Sequence, residues 1–397
     1  MANQIVGYTM MRVALATLAF CLSVSFAAYS QGPTTAAAVP AAVAAGPSGS
    51  LFQREALLGA PDGAAAYRIL YRSTGLNNEP ILVSGAIIIP PGAPPPDGRL
   101  IVAWAHPTSG VQTQCAPSLA RSLFRQIQGL RAMVELGYVV VATDYPGLGT
   151  PETHPYLVGV SEGRAVLDSV RAARQMPEAA VGSRFAVWGH SQGGQAALYT
   201  GLIAKDYAPE LTLVGVAAAA PATDLVTLVN DDFDSVGGKN LTAMTLWSWA
   251  RVYNAPIDRV VTAHAMPVVN RLAGECIESI FDLLVRRQTG RPLEQNFLSV
   301  QNLTAVEPWR GLLTSNTPGA LPPGIPVFLA QGDADQLVKP AVTRAYMRRL
   351  CQAGSRVRMV LLPGVGHGFV ARDSAAAAVA WMTDRFAAVV PPNDCSS

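Results

Sequence analysis

A chain of 397 residues, half of them apolar and only 14% charged, is long enough to bury a large core. Its formal charge of +2, with no basic run interleaved with aromatics, excludes nucleic acid as a partner. Five histidines and five cysteines without any C-x-x-C pair argue against a structural zinc site.

Residues 1–30 read as a signal peptide: Arg12 is their only charge, an apolar run extends from Val13 to Ala28, and Ala28-Tyr29-Ser30 offers small residues for cleavage. The run is too short and weakly flanked for a membrane anchor, so no integral span is expected after cleavage. Export to the extracellular space or periplasm follows, and Cys21 is lost. Residues 31–50, rich in Ala, Pro and Gly, read as a flexible leader. Residues 51–397 read as one α/β domain carrying an insertion.

Within that domain, 65–71 and 81–89 are strand-like, and 100–105 is a buried strand followed by His106-Pro107-Thr108-Ser109-Gly110. Leu119, Leu123, Phe124, Ile127, Leu130 and Val134 recur at helical spacing, and Gly137 closes that helix. A strand over 138–143 ends at Asp144, and Ser161 is placed to cap the next helix. A strand at 185–188, a helix at 195–204 and a strand at 211–217 continue the alternation. Unbroken apolar strands between helices predict a mostly parallel sheet with helices on both faces. The rhythm fails over about 224–321, which reads as a mainly helical cap containing Trp247, Trp249, Trp309 and Phe281, most of them read as packing against the main domain and one or two as lining a substrate entrance. Strands at 326–330 and 356–362 then alternate with helices at 340–351 and 374–389.

Arg184 to Gly194 carries the chemistry. Gly189-His190-Ser191-Gln192-Gly193 fits G-x-S-x-G between a strand and a helix, the setting of a nucleophile elbow, with glycines where the tight turn leaves no room for side chains. The bland alternative is a glycine-rich turn with an incidental serine. An activated serine needs a base and a carboxylate, in the chain order Ser, acid, His for this architecture. His367, flanked by Gly366 and Gly368 after the last strand, fits the base, whereas His264 lies in the irregular insertion. After the preceding strand Asp335 and Asp333 compete; Asp335 has the favoured offset from Gly332 and Val338, leaving Asp333 to the turn. Oxyanion donors are expected from the Gln192 backbone N–H and from the 106–110 loop, where Thr108 leads Ser109. His106, His190 and Asp144 are read as structural. Cys115, Cys276, Cys351 and Cys395 remain after export, an even set with three possible pairings.

Together these pieces resemble the secretory lipase family of α/β-hydrolases, found in yeasts and bacteria. The resemblance rests on Cys115-Ala116-Pro117-Ser118, the 156–168 stretch with Glu162-Gly163, the elbow, Ala208-Pro209-Glu210-Leu211, Gly332 to Val338, and Gly366-His367. It implies the α/β-hydrolase fold with a helical cap, a Ser-Asp-His triad, and hydrolysis of carboxylic esters, often acylglycerols. By position it also implies disulfides Cys115–Cys276 and Cys351–Cys395. The chain departs from the family at 106–110, where the yeast enzymes carry an acid-containing loop, so their oxyanion residue is not carried over. The reading is therefore a secreted serine lipase or esterase acting on a small or lipid-like ester, with transient contact at a lipid–water interface and no metal or cofactor. The alternatives are a serine peptidase or acyltransferase on the same fold, disfavoured because no acidic pair is placed to hold a substrate amine, and a non-catalytic binding module.

Overall fold

A computed structural model describes residues 44–395; the expected signal peptide, and the expected leader as far as residue 43, lie outside the described residues. Among the described residues nine strands form one sheet, in the order β1-β2-β3-β5-β4-β6-β7-β8-β9. They are β1 (Leu51–Leu57), β2 (Ala65–Thr74), β3 (Pro80–Ile89), β4 (Arg99–Ala105), β5 (Val139–Thr143), β6 (Val181–His190), β7 (Thr212–Ala219), β8 (Val327–Gly332) and β9 (Val357–Leu362). β1, β2 and β3 pair antiparallel, β3 pairs antiparallel with β5, and the six strands from β5 to β9 run parallel.

Period-two alternation splits the strand side chains between two cores. Val102, Trp104, Val140, Ala186, Trp188 and Phe328 face one side, and Ile101, Ala103, Val141, Phe185, Val187 and Leu329 face the other. Trp104 lies opposite Trp188 across the β4–β6 pair, and Trp188 Nε1 donates to the Gln128 carbonyl at 3.0 Å, so this large ring is buried without an orphaned N–H. Both faces being covered explains why the parallel strands read as continuous apolar runs.

Helices α1 (Leu123–Gln126) and α2 (Leu130–Glu135) precede β5, and α3 (Gly159–Ala173) and α4 (Gln192–Tyr207) flank β6. The single helix expected from 119 to 134 is broken. Gly129 takes a left-handed φ of +82°, and the apolar spacing is shared among short segments. Ser161 does not cap α3: the helix starts at Gly159 after Val158, and Ser161 is buried inside its first turn. Strand β1 carries no strand signal in the sequence, because Gln53, Arg54 and Glu55 are exposed and give no apolar alternation. The end of the leader is also tied to the domain. Gly49 N–H donates to Arg72 carbonyl at 2.7 Å, and Ser48 Oγ lies 2.7 Å from Thr74 Oγ1.

Between β7 and β8 the described chain is helical: α5 (Leu225–Asp232), α6 (Val236–Val252), α7 (Met266–Gly274), α8 (Ile280–Gly290), α9 (Leu293–Asn296) and α10 (Trp309–Ser315). Helix α8 starts after Ser279, which forms a reciprocal capping box with Asp282. Helix α11 (Pro340–Gln352) joins β8 to β9, and α12 (Val370–Phe386) closes the domain. The cysteines pair as Cys115–Cys276, with Cα atoms 5.1 Å apart, and Cys351–Cys395, with Cα atoms 5.4 Å apart.

Candidate active site

Ser191 occupies the single residue between β6 and α4, with φ 57° and ψ −116°. A non-glycine residue there carries backbone strain on the order of 1–3 kcal/mol. The surroundings hold it in place: Ser191 N–H donates to the Ala219 carbonyl at 2.9 Å, and its own carbonyl accepts from Gln195 at 3.1 Å. A Cβ on Gly193 would fall onto the Ala105 carbonyl, and one on Gly189 would meet the Gly193 carbonyl. The turn therefore needs glycine two residues to either side of the serine.

Parallel strands ending on one side of the sheet bring the distant residues together. His367 follows β9, and its Nε2 lies 2.8 Å from Ser191 Oγ. Its Nδ1 lies 2.8 Å from Asp335 Oδ2, in the loop after β8. With Nδ1–H donating to the carboxylate, Nε2 is free to accept the serine hydroxyl. The other Asp335 oxygen accepts the Leu337 and Val338 amides, each at 2.9 Å. Burial raises the Asp335 pKa, but the hydrogen bond and charge of His367, with those two amides, outweigh it and leave the carboxyl below its usual range. Asp333 instead accepts the Gly364 amide at 2.6 Å and only shapes the turn. A serine hydroxyl bonded to an imidazole whose far nitrogen faces a carboxylate can lose its proton as it attacks a carbonyl.

Gln192 is the first residue of α4, so its backbone N–H is one the helix itself leaves unpaired. Thr108 borders the same cavity as Ser191, Gln192 and His367, and its Oγ1 lies 3.0 Å from Tyr156 Oη. Ser109 turns its carbonyl to the Ile277 amide at 2.8 Å. The cavity, about 50 Å³, has an apolar wall of Leu225, Leu228, Val229, Leu241 and Leu313, all from the helices between β7 and β8. Trp247, Trp249, Trp309 and Phe281 do not border it: Trp249 and Trp309 are buried in the core, Arg251 covers Trp247 at 3.6 Å, and Phe281 is exposed.

Other sequence motifs resolve into supports. Asp144, fully buried, accepts the Ser118 amide at 2.8 Å and hydroxyls from Ser118 and Ser84, so it anchors Cys115-Ala116-Pro117-Ser118. Glu210 pairs with Arg171 at 2.7 Å, and Arg171 reaches Asp168 at 2.9 Å. His106 packs on Tyr145 with ring centroids 4.3 Å apart. Two further supports carry little signal in the sequence. Gln331 Nε2 lies 3.2 Å from Asp335 Oδ2 and 3.0 Å from the Val338 carbonyl, holding the acid loop; its signal was one amide inside an apolar strand. Beneath the elbow, Glu162, His154 and Gln192 form a buried cluster that sequence spacing does not reveal.

A strand–serine–helix elbow on a mostly parallel sheet, with imidazole and carboxylate on the loops after later strands, defines the α/β-hydrolase class. The model of the secretory lipase family matches residues 122–393, and the chain belongs to that family. It is a carboxylic ester hydrolase of the triacylglycerol lipase and esterase type. Lipase 9 of Candida albicans is 26% identical over 354 residues, covering 83% of this chain and 75% of its own. A secreted triacylglycerol lipase of Malassezia globosa is 26% identical over 350 residues, covering 82% and 71%. Candida antarctica lipase A in its closed state shares the fold with a TM-score of 0.73 at 18% identity, covering 92% of this chain and 88% of that one. No helix among the described residues is long and apolar enough to cross a membrane.

Proposed function

We propose that this chain is an exported lipase or esterase that cleaves carboxylic esters of apolar acyl groups through an acyl-enzyme on Ser191. The observation that carries this is the relay from Ser191 Oγ to His367 Nε2 and from His367 Nδ1 to Asp335, each link 2.8 Å. Ser191 Oγ attacks the ester carbonyl as its proton passes to His367 Nε2. The tetrahedral oxyanion takes hydrogen bonds from the Gln192 amide and the Thr108 hydroxyl. Collapse expels the alkoxide, which leaves with the proton from His367. Water then attacks the acyl-enzyme, gives its proton to the same nitrogen, and the acid departs as Ser191 recovers its hydrogen. Asp335 holds the imidazole and supports its positive charge throughout.

The helices between β7 and β8 act as the cap, and their leucines hold the acyl chain, which favours lipid-like esters. Residues 1–30 direct export, and the two disulfides suit an oxidising compartment. The test is Ser191→Ala with p-nitrophenyl butyrate: turnover is expected to fall at least roughly 10⁴-fold with the fold retained, and a fluorophosphonate probe to label wild type but not the variant. Undiminished turnover would refute the assignment.

A further inference from the structure

Beneath the elbow, Gln192 sends its side chain inward, where it is 1% exposed. Its Nε2 lies 2.8 Å from Glu162 Oε1 on α3 and 3.1 Å from His154 Nε2. The direction of these bonds is fixed by a third contact. His154 Nδ1 lies 2.8 Å from the Pro146 carbonyl, which can only accept. That nitrogen therefore carries the imidazole hydrogen, and His154 Nε2 is an acceptor. Gln192 must then present its NH₂ group to both neighbours, one hydrogen to each. Glu162 Oε1 also accepts the Leu157 amide at 3.0 Å, while Oε2 has no partner among the described residues. Both hydrogens being held, the Gln192 side chain has one orientation, and its backbone amide is fixed at the start of α4.

Resting on the proposed ester-hydrolase reading, we infer that Glu162 is a positioning residue: by holding Gln192 from below, it aims the Gln192 amide at the oxyanion, and it does so as a neutral carboxyl. Three observations support the neutral form. The carboxyl is fully buried and, among the described residues, its second oxygen is unpaired and no cation faces it. His154 is kept neutral by burial, with its pKa lowered to about 3. Among the described residues, the other elements packed around it contribute only the phenols of Tyr145, Tyr156, Tyr199 and Tyr253, and burial raises the pKa of each. Burial also raises the Glu162 pKa to about 8, against the hydrogen bonds from Gln192 and Leu157. Ionisation above that pH places a negative charge behind the amide that must stabilise another negative charge.

The experiment measures kcat and KM for p-nitrophenyl butyrate from pH 6 to 10 in wild type, Ser191→Ala, Glu162→Ala and Glu162→Gln. Glutamine keeps the acceptor for Gln192 and Leu157 but cannot ionise. Near neutral pH it is expected to stay within about threefold of wild type, while Glu162→Ala loses roughly 10²-fold in kcat with KM little changed. At pH 9, where roughly nine-tenths of wild type carries the ionised carboxyl, Glu162→Gln is expected to exceed wild type by about tenfold. A Glu162→Gln profile superimposed on wild type overturns the inference, as does a Glu162→Ala loss confined to KM. Ester turnover that survives in Ser191→Ala defeats the hydrolase reading and this inference with it. Turnover that depends on Ser191 but is indifferent to Glu162 defeats this inference alone.

Discussion

The Nε2 atom of His190 lies 3.0 Å from the carbonyl oxygen of His367, so the residue just before the serine holds the backbone of the histidine that faces it. Their rings also pack, with centroids 5.0 Å apart. Burial, and then the charge of His367, lower the His190 pKa to about 3, so its ring is neutral and donates Nε2–H to that carbonyl. His190→Phe keeps a packed ring but removes the donor. The expected result is a loss of about tenfold in kcat with KM nearly unchanged, because a loosened imidazole spends less time aligned with Ser191. Steady-state kinetics on a short p-nitrophenyl ester checks it, and an unchanged kcat would show that packing alone positions His367.

The same substitution tests a pH effect on stability. An unfolded histidine takes up its proton near pH 6.5, whereas folded His190 resists until about pH 3. Between those values the unfolded chain binds the proton and the folded one does not. The contribution of His190 is thus complete above pH 6.5 and falls by about 1.4 kcal/mol per pH unit below it. The buried carboxyls of Asp144 and Glu162, with pKa values raised by burial, act in the opposite direction and hide this in wild type alone. The informative quantity is the wild-type stability minus that of His190→Phe. It should shift by about 2 kcal/mol in favour of the variant between pH 6.5 and 5 in urea titrations. A difference independent of pH would mean that His190 is protonated in the folded protein.

What the sequence could and could not show follows from the range of each interaction. Apolar runs such as Val139 to Val141 announce parallel strands because both faces of the sheet are covered, and Gly189 to Gly193 announce a tight turn because the backbone there leaves no space for a Cβ. Both signals are local. Gln331 under Asp335, and Glu162 under Gln192, are contacts between elements whose approach depends on the whole sheet, so each looks like an incidental polar residue along the chain. The apolar spacing over 119–134 and the placement of Ser161 mislead for a related reason. A local helix preference is broken by the turn at Gly129, and a local cap preference by a helix that begins two residues before Ser161. Residues alone left three disulfide pairings, since the partners of Cys115 and Cys351 lie 161 and 44 positions away.

Those two bridges should be unequal in function. Cys115–Cys276 joins the segment after the Thr108 loop to the helices above the site, and the Ser109 carbonyl accepts the Ile277 amide at 2.8 Å beside it. Cys351–Cys395 fastens the chain end to α11, away from Ser191. Loop-closure entropy gives each roughly 4–5 kcal/mol of stabilisation. Replacing either pair by alanine should therefore lower stability by a similar amount. Only the Cys115→Ala, Cys276→Ala double variant should also lower kcat, by roughly tenfold, under conditions where both variants remain folded. Urea midpoints and initial rates measured side by side decide this, and equal kcat values would show that the first bridge does not hold the loop in register.

Thr108 provides the sharpest test of the oxyanion assignment. Its hydroxyl lies 3.0 Å from Tyr156 Oη, and Tyr156 is held in turn, since its amide donates to Ser248 Oγ at 3.1 Å and its carbonyl accepts Trp249 Nε1 at 2.8 Å. With the tyrosine hydroxyl donating to Thr108 Oγ1, the threonine hydrogen is left to point into the cavity that Ser191 borders. Thr108→Val preserves shape and removes the donor, so kcat should fall roughly 10²- to 10³-fold with little change in KM, because the oxyanion exists only in the transition state. Thr108→Ser, which restores the hydroxyl, should recover most of the rate. Tyr156→Phe should cost less than Thr108→Val, since it frees the threonine hydroxyl to rotate without deleting it. If Thr108→Val retained wild-type kcat while Thr108→Ser did the same, the second donor would have to come from another group on the 106–110 loop, with the backbone N–H of Ser109 next to be tested by an ester-to-thionoester comparison, which changes the atom the donor must bind.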